Sequence, residues 1–203
     1  MLKGKIASEG YAVGKALCLY KETLHAEKEA CDDVRTCIQA FHDALDKSED
    51  DLRNLRDKTA ETLDEDHAEI FDAHLEMLRD VEIKGQVESM IENDNVSAAY
   101  AYERVTQQFI EMFQEMEDEY FRARATDISD IQQRVLGYLL DKPIKDLSLL
   151  KEDTVVVARD LTPSDTAGLD LDKVKGFVTE IGGRTSHTAI IARALGIPAI
   201  VGA

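Results

Sequence analysis

Cysteine, proline and glycine are scarce in this 203-residue chain, at three, three and eleven residues, and the cysteine and glycine counts each narrow what it is. Cys18, Cys31 and Cys37 are odd in number and form no C-x-x-C pair, so neither a disulfide framework nor a zinc knuckle is expected. Free thiols in a reducing cytoplasm fit. No glycine lies between Lys15 and Gly85, which suits long uninterrupted helices packed as antiparallel neighbours. A run of about 18 apolar residues is missing, as is the apolar stretch of a signal peptide. A soluble, cytoplasmic protein with no membrane partner is therefore expected. Positive charge is in deficit too: 24 Lys and Arg face 41 Asp and Glu, a net charge of -17. This argues against binding a nucleic-acid backbone or an anionic bilayer and favours a basic protein partner. Finally, 44% hydrophobic residues suffice for one large or two small cores, which excludes disordered and fibrous classes.

The apolar residues that are present change period along the chain. The first twenty residues read as two short strands around a glycine-containing turn. From about Ala26 to Leu63, Val34, Ile38, Phe41, Leu45, Leu52 and Leu55 recur at helical spacing and predict one long amphipathic helix. Ser48 interrupts that stripe and reads as a polar layer, with a bend as the alternative. A second helix carries Ile70, Phe71, His74, Leu75 and Leu78, and a shorter one carries Val87, Met90 and Ile91 until Asn93-Asp94-Asn95 breaks it. Ser97 caps a fourth, with Tyr102, Val105, Phe109, Met112, Phe113 and Met116 on its stripe; Ile128, Ile131, Val135 and Leu139 define a fifth, closed by Pro143. His25 and His42 read as helix surface.

Beyond Pro143 the pattern becomes β/α. Residues 154–158 and 176–180 read as strands, 162–169 and 186–195 as short helices, and 198–201 as the start of a third strand. The chain ends directly after that strand and reads as a piece of a longer protein. Acidity is concentrated on the helices: Glu61 to Asp94 holds 12 acidic residues against Arg79 and Lys84, whereas Ile144 to Ala203 holds 8 acidic and 7 basic residues.

The segment with the clearest chemistry runs Gly182-Gly183-Arg184-Thr185-Ser186-His187-Thr188-Ala189-Ile190-Ile191-Ala192-Arg193-Ala194-Leu195-Gly196-Ile197-Pro198-Ala199. Two glycines allow a tight strand-to-helix turn, Thr185 or Ser186 can cap the helix, and His187 then lies in its first turn, where backbone N–H groups point outward. A helix N-terminus favours a phosphate, and Arg184 or Arg193 can add charge-assisted hydrogen bonds. The arrangement suits a phosphorylated histidine. The bland alternative is an ordinary β/α connection with a surface histidine.

This segment resembles the phosphohistidine segment of the phosphoenolpyruvate-utilising enzymes. Ala7-Ser8-x-Gly10-x-Ala12-x-Gly14-Lys15-Ala16, a helical insertion and then Asp160-Leu161-Thr162-Pro163-Ser164-Asp165-Thr166 resemble the enzyme I branch of that family; the dikinase and synthase branches carry a large ATP-binding region first. The resemblance covers essentially the whole chain. It implies an α+β fold: an α/β phosphohistidine (swivelling) domain made of 1–20 and 144–203, with a helical HPr-binding subdomain, 21–143, inserted in it. It further implies that His187 takes a phosphoryl group from phosphoenolpyruvate on Nε2 and passes it to a histidine of the carrier protein HPr. Thr166 matches the family's threonine that hydrogen-bonds the unphosphorylated histidine; an ST-type turn residue is the alternative. Phosphoenolpyruvate and Mg²⁺ are implied to bind a C-terminal barrel outside this chain, so no autophosphorylation is expected, only exchange with phospho-HPr. The same reading expects this chain to be monomeric and the full-length protein a homodimer.

The carrier-facing segment implied by the resemblance is Glu65 to Asp80, where Glu65, Asp66, Glu69 and Asp80 offer charge, with His74 and Met77 beside them; Ile83 adds an apolar contact, and Arg124 matches a family arginine near the carrier's phosphohistidine. A solvated charged face is the alternative for the acids. Glu9 and Tyr11 stand where the family has proline and a small apolar residue, and Glu76 where an apolar one is common, which affects the HPr contacts and not the histidine segment. No metal site is expected: His74, on the apolar side of its helix, reads as a buried or interface histidine, although His67 and His74 at i,i+7 are a formal possibility. Two rivals remain. One is a pure interaction module in which the histidine segment is only structural. The other is a paralogue serving a nitrogen-regulatory carrier, which Met1, running straight into the first strand, disfavours. Domain swinging is expected through connections near Tyr20 and Pro143.

Overall fold

The computed structural model describes residues 4–19, 23–142, 150–170, 172–184 and 186–203; Tyr20, Pro143 and Thr185 lie outside them. Two compact units result, one made of Thr23–Asp57 and Ala68–Ile144, the other of Met1–Glu22, Lys58–His67 and Lys145–Ala203.

The first unit is built from helices α1 (Val34–Thr62), α2 (Glu65–Leu78), α3 (Val81–Asp94), α4 (Ala98–Gln114) and α5 (Glu119–Leu139), the end of α1 and the start of α2 belonging to the other unit. Phe41, Leu52, Phe71, Val87, Ile91, Val105, Val135 and Leu136 form its fully buried interior. Several stops and starts follow from local chemistry. Asp80 caps α3 by accepting from the amides of Glu82 and Ile83, Asn95 ends it in the left-handed conformation at φ 52°, and Ser97 caps α4 through the Tyr100 amide. On α4 the buried residues are Tyr102, Val105 and Ile110, while Met112 of the expected stripe is exposed.

Three expectations are corrected here. The first helix starts at Val34, not near Ala26, because the preceding backbone bonds elsewhere. Ser97 N–H donates to Glu29 O at 2.9 Å, Cys31 N–H donates to Asn95 O at 3.0 Å, and the Ala26 amide donates to Glu103 Oε2 at 2.6 Å. Residues 24–31 thus form an extended strap, and His25 sits on it with Nδ1 2.7 Å from Glu103 Oε1, rather than on a helix. Cys31 and Cys37 are disulfide-bonded and only Cys18 is a free thiol, because a helix beginning at Val34 brings the two Cα atoms to 6.5 Å. Ser48 is fully buried, a polar position in the apolar stripe as expected, and its hydroxyl is satisfied by donating to Ala44 O at 2.7 Å within α1.

Glu49 links α1 to the end of α2. It accepts from Arg79 Nε at 3.0 Å and from Arg53 Nη2 at 2.8 Å, and the Arg79 hydrogen bonds, then those of Arg53, hold its carboxyl at about 2. A depressed carboxylate contributes stability above its unfolded value near 4.5 and loses it as pH falls toward 2. With 26% of the side chain exposed, solvent screening reduces the contribution to about 1–2 kcal/mol. Urea unfolding of Glu49→Gln should therefore show that deficit at neutral pH and almost none near pH 2; an equal deficit at both would contradict this origin.

The second unit holds a five-stranded sheet of β1 (Lys5–Ser8), β2 (Lys15–Leu19), β3 (Thr154–Ala158), β4 (Val174–Thr179) and β5 (Ala199–Val201) in the order β1-β5-β4-β3-β2. Only β1 runs antiparallel, along β5; every other pair is parallel. The two opening strands do not pair with each other as a turn between them suggested; they occupy opposite edges. Helices α6 (Pro163–Gly168) and α7 (His187–Ala194) provide the β/α crossovers. Val156, Leu161, Leu169, Phe177, Ala189, Ala192 and Val201 make the core beneath them.

Candidate functional site

The β4–α7 connection is shaped by its residues in turn. Gly182 adopts φ +121°, which L side chains rarely adopt, and a Cβ there would meet Ser186 Oγ at 3.2 Å. Gly183 is under no such restriction. Ser186 is the N-cap, accepting from the Ala189 amide, so His187 is the first residue of α7 and lies among its outward N–H groups. Arg193, one and a half turns on, donates through Nη1 to Arg184 O at 2.9 Å and to Ala7 O at 3.3 Å. Through Nη1 it clasps the turn to β1. Arg184 is exposed.

Opposite this turn stands α6, whose Thr162–Asp165 capping box fixes its start, with Pro163 at the first helical position. The box orients Thr166 so that its Oγ1 lies 2.7 Å from His187 Nε2, with Pro163 O at 3.0 Å as a second neighbour. Thr166 is buried and His187 partly buried, so the residue is neither closed off from solvent nor fully exposed to it. An ST-type turn and a histidine partner are both realised by one hydroxyl. The lone donor proton of that hydroxyl goes either to Nε2, leaving Nδ1 protonated, or to a backbone acceptor, Pro163 O at 3.0 Å or Thr162 O at 3.3 Å, in which case Nε2–H donates to it. Only the first leaves His187 Nε2 a lone pair, the form a nucleophile requires.

On α2, Glu65, Asp66 and Glu69 are exposed, joined by Asp72 and Glu76 on the same solvent side, with Ala68, Phe71, His74, Leu75 and Leu78 on the buried one. Glu65 and Asp66 lie in the first turn, where the helix dipole favours acids. Just before it, Asp64 accepts from the His67 amide at 2.9 Å and lies 2.6 Å from His67 Nδ1, and those bonds, the amide's first, hold its carboxyl below the ordinary range. Of the two readings of His74 the buried one holds and the partner contact is corrected: the ring is wholly buried, its Nε2 3.4 Å from Asp127 Oδ1. That spacing is an ion-pair contact without hydrogen-bond geometry. Asp80 is exposed but engaged in capping α3. Met77, Phe109 and Phe113 pack, partly buried, against the cluster of Ile110, Ala125 and Ile128; Ile83 is half-buried; Arg124 Nη1 lies 3.7 Å from Asp127 Oδ2. Sequence reasoning missed Phe121, 41% exposed and stacked on Phe113 at 6.2 Å, because an exposed aromatic has no periodic signature. Among the described residues no three His, Cys, Asp or Glu side chains converge as a metal cradle, and no step below runs through a metal. Nor is any described helix long and apolar enough to cross a membrane.

A mixed, mainly parallel sheet presenting a histidine at a helix N-terminus, with a helical insertion in the chain, defines the class of α/β domains seen in enzyme I N-terminal structures. The chain aligns with a solution structure of Enzyme I (nEIt) at TM-score 0.83 and 42% identity, over all of this chain and 82% of that one. It aligns with an N-terminal domain of Enzyme 1 - Nitrogen at TM-score 0.67 and 25% identity, over 98% and 83%. Residues 3–124 match the family described as PEP-utilising enzyme, N-terminal, and residues 150–203 match PEP-utilising enzyme, mobile domain. The chain belongs to the PEP-utilising enzymes. It is 50% identical to the phosphoenolpyruvate-protein phosphotransferase of Listeria monocytogenes and 43% to that of Bacillus subtilis, each over 99% of its length. It spans about a third of those relatives, 35%.

Proposed function

We propose that this chain is a phosphoryl carrier of a phosphoenolpyruvate-dependent sugar phosphotransferase system, with His187 as the carrying residue and HPr as the recipient. The observation that carries the reading is the partly buried histidine whose Nε2 lies 2.7 Å from Thr166 Oγ1. The Nε2 lone pair attacks phosphorus, the bond from phosphorus to the enol oxygen breaks, and the enolate takes a proton to become pyruvate. A histidine nitrogen of HPr then attacks the same phosphorus and the Nε2–P bond breaks. One difficult transfer becomes two easier ones. Phosphoenolpyruvate and Mg²⁺ are assigned to a part of the whole protein outside this span, and its setting to the cytoplasm. In this reading the chain alone is a monomer and the whole protein a homodimer.

The test is exchange: the 203-residue chain incubated with labelled phospho-HPr should acquire acid-labile, base-stable label on His187, and absence of label defeats the proposal. Thr166 adds a finer expectation. Its hydroxyl bonds Nε2 only when that atom carries no phosphoryl group, so it stabilises the unphosphorylated side by about 1 kcal/mol. Thr166→Val should shift the exchange equilibrium about fivefold toward phospho-His187, measured from label distribution at equilibrium; a shift toward phospho-HPr would contradict it.

HPr docks, in this reading, along α2 and the cluster of Met77, Phe113 and Phe121, with the acids steering a basic rim and the apolar groups supplying affinity. Reversal of Glu65, Asp66 and Glu69 to lysine together should slow association about tenfold or more at low salt, with the difference vanishing at high salt. Stopped-flow rates that ignore both changes would favour a merely solvated face. The higher TM-score and identity with Enzyme I than with the nitrogen type favour the sugar carrier.

A further inference from the structure

The Cys31–Cys37 disulfide is not required by the size of the core around it. The helical unit buries Phe41, Leu52, Phe71, Val87 and Ile91 fully, so it is not one of the small domains that depend on staples. Only six positions separate the two cysteines, and closing so short a loop restricts the unfolded chain least. What the bond does join is specific. Cys31 ends the 24–31 strap, and Cys37 lies in the second turn of α1.

The strap is held along its length by side chains and main chain of one unit. The Leu24 amide donates to Gln133 Oε1 at 2.6 Å and Gln133 Nε2 returns a bond to Leu24 O at 3.2 Å; Glu103 holds Ala26. At the other end the holding is mainly backbone, through Glu29 and Cys31 to the α3–α4 connection at Asn95 and Ser97, with the Ala30–Val96 bridge between them, and Lys28 Nζ lies over the Tyr100 ring at 5.9 Å. The disulfide is therefore the covalent clamp on an end of the strap otherwise held by main-chain bonds and that one ring contact. Access is uneven: Cys31 is buried and Cys37 half-buried, so a reductant meets the Cys37 sulfur first.

We infer that Cys31 and Cys37 form a reversible redox site, opened by dithiols, whose closed state clamps the strap and the α3–α4 connection to the start of α1. One thiolate of the dithiol attacks the Cys37 sulfur, the Cys31–Cys37 bond breaks, and Cys31 leaves as a thiolate that takes a proton. The second thiol of the reductant then attacks its own sulfur in the mixed disulfide and releases Cys37, which is protonated in turn. Two electrons pass to the protein and the dithiol becomes a cyclic disulfide; the oxidised dithiol runs the steps backwards. The inference stands on the strap and not on the phosphotransfer reading, so either can fail alone.

The test equilibrates the 203-residue chain with reduced and oxidised dithiothreitol at graded ratios, traps thiols with iodoacetamide and counts adducts by mass. One adduct, on Cys18, is expected at the oxidising end and three at the reducing end, with the same curve in both directions. Amide hydrogen exchange at Cys31 and Ser97 should quicken about tenfold or more on reduction, while Leu24 and Ala26 stay protected. The Cys31→Ser, Cys37→Ser double variant should show the faster exchange at every ratio. Three adducts at every ratio, an irreversible curve, or a reversible curve with unchanged exchange at Cys31 and Ser97 each overturn the inference. The unmodified chain decides the matter even if the double variant does not fold.

Discussion

Replacing His187 with alanine is expected to reduce exchange with labelled phospho-HPr by about a thousandfold or more, to background, while melting temperature and HPr affinity stay unchanged. The separation follows from where the ring sits. Helix α7 is started by the Ser186 cap and Gly182, and its turn is clasped by Arg193, so the imidazole is not what holds the helix in place. His187 is partly buried and its Nε2 contact is with Thr166, whose hydroxyl keeps Pro163 O as an alternative acceptor at 3.0 Å. Deleting the ring therefore costs little stability and all of the nucleophile. Filter-bound label, thermal melts and titration calorimetry on the same preparation make the comparison. Exchange persisting in the alanine variant would transfer the chemistry to another residue and leave the pure interaction module as the better reading.

Phe71→Ala should destabilise the helical unit by about 3–5 kcal/mol, the range for deleting a buried ring whose surroundings relax only in part. The Phe71 side chain is 1% exposed and meets the edge of the buried His74 ring at 5.7 Å on the inner face of α2. Its loss leaves a cavity beside an imidazole already engaged with Asp127, so the site has little freedom to collapse. Because the acidic residues occupy the opposite side of the same helix, HPr binding should vanish at the lowered unfolding transition and remain normal well below it. Denaturant melts followed by helix signal give the magnitude. A loss under about 1 kcal/mol would mean that α2 is not fastened through this ring.

Much of the architecture was legible because periodicity reports burial. Helices α2, α3 and α5 and strands β3 and β4 follow from the spacing of residues such as Phe71, Val87, Val135, Val156 and Phe177, all buried as their pattern requires. Caps were equally readable, Ser97 outright and Ser186 as one of two choices with Thr185, since a hydroxyl before a helix has a local partner in the next turn. The strap was not readable. Residues 26–31 have a composition compatible with helix, and what keeps them extended is Glu103, Asn95 and Ser97, far along the chain. The disulfide was missed for the same reason: counting cysteines tells nothing of which helix end brings two of them together.

By itself, the order of residues determined where most helices and strands run, most of the faces they bury, and that a histidine follows a Gly-Gly-x-Thr-Ser turn, because these depend on neighbours within a few positions. Tertiary structure alone decided that β1 and β2 lie at opposite edges, that Thr166 reaches Nε2 from 21 residues away, and that His74 is closed to any partner. Each of those is a contact between distant segments, and its energy depends on which backbone groups and cavities the completed fold leaves to be filled.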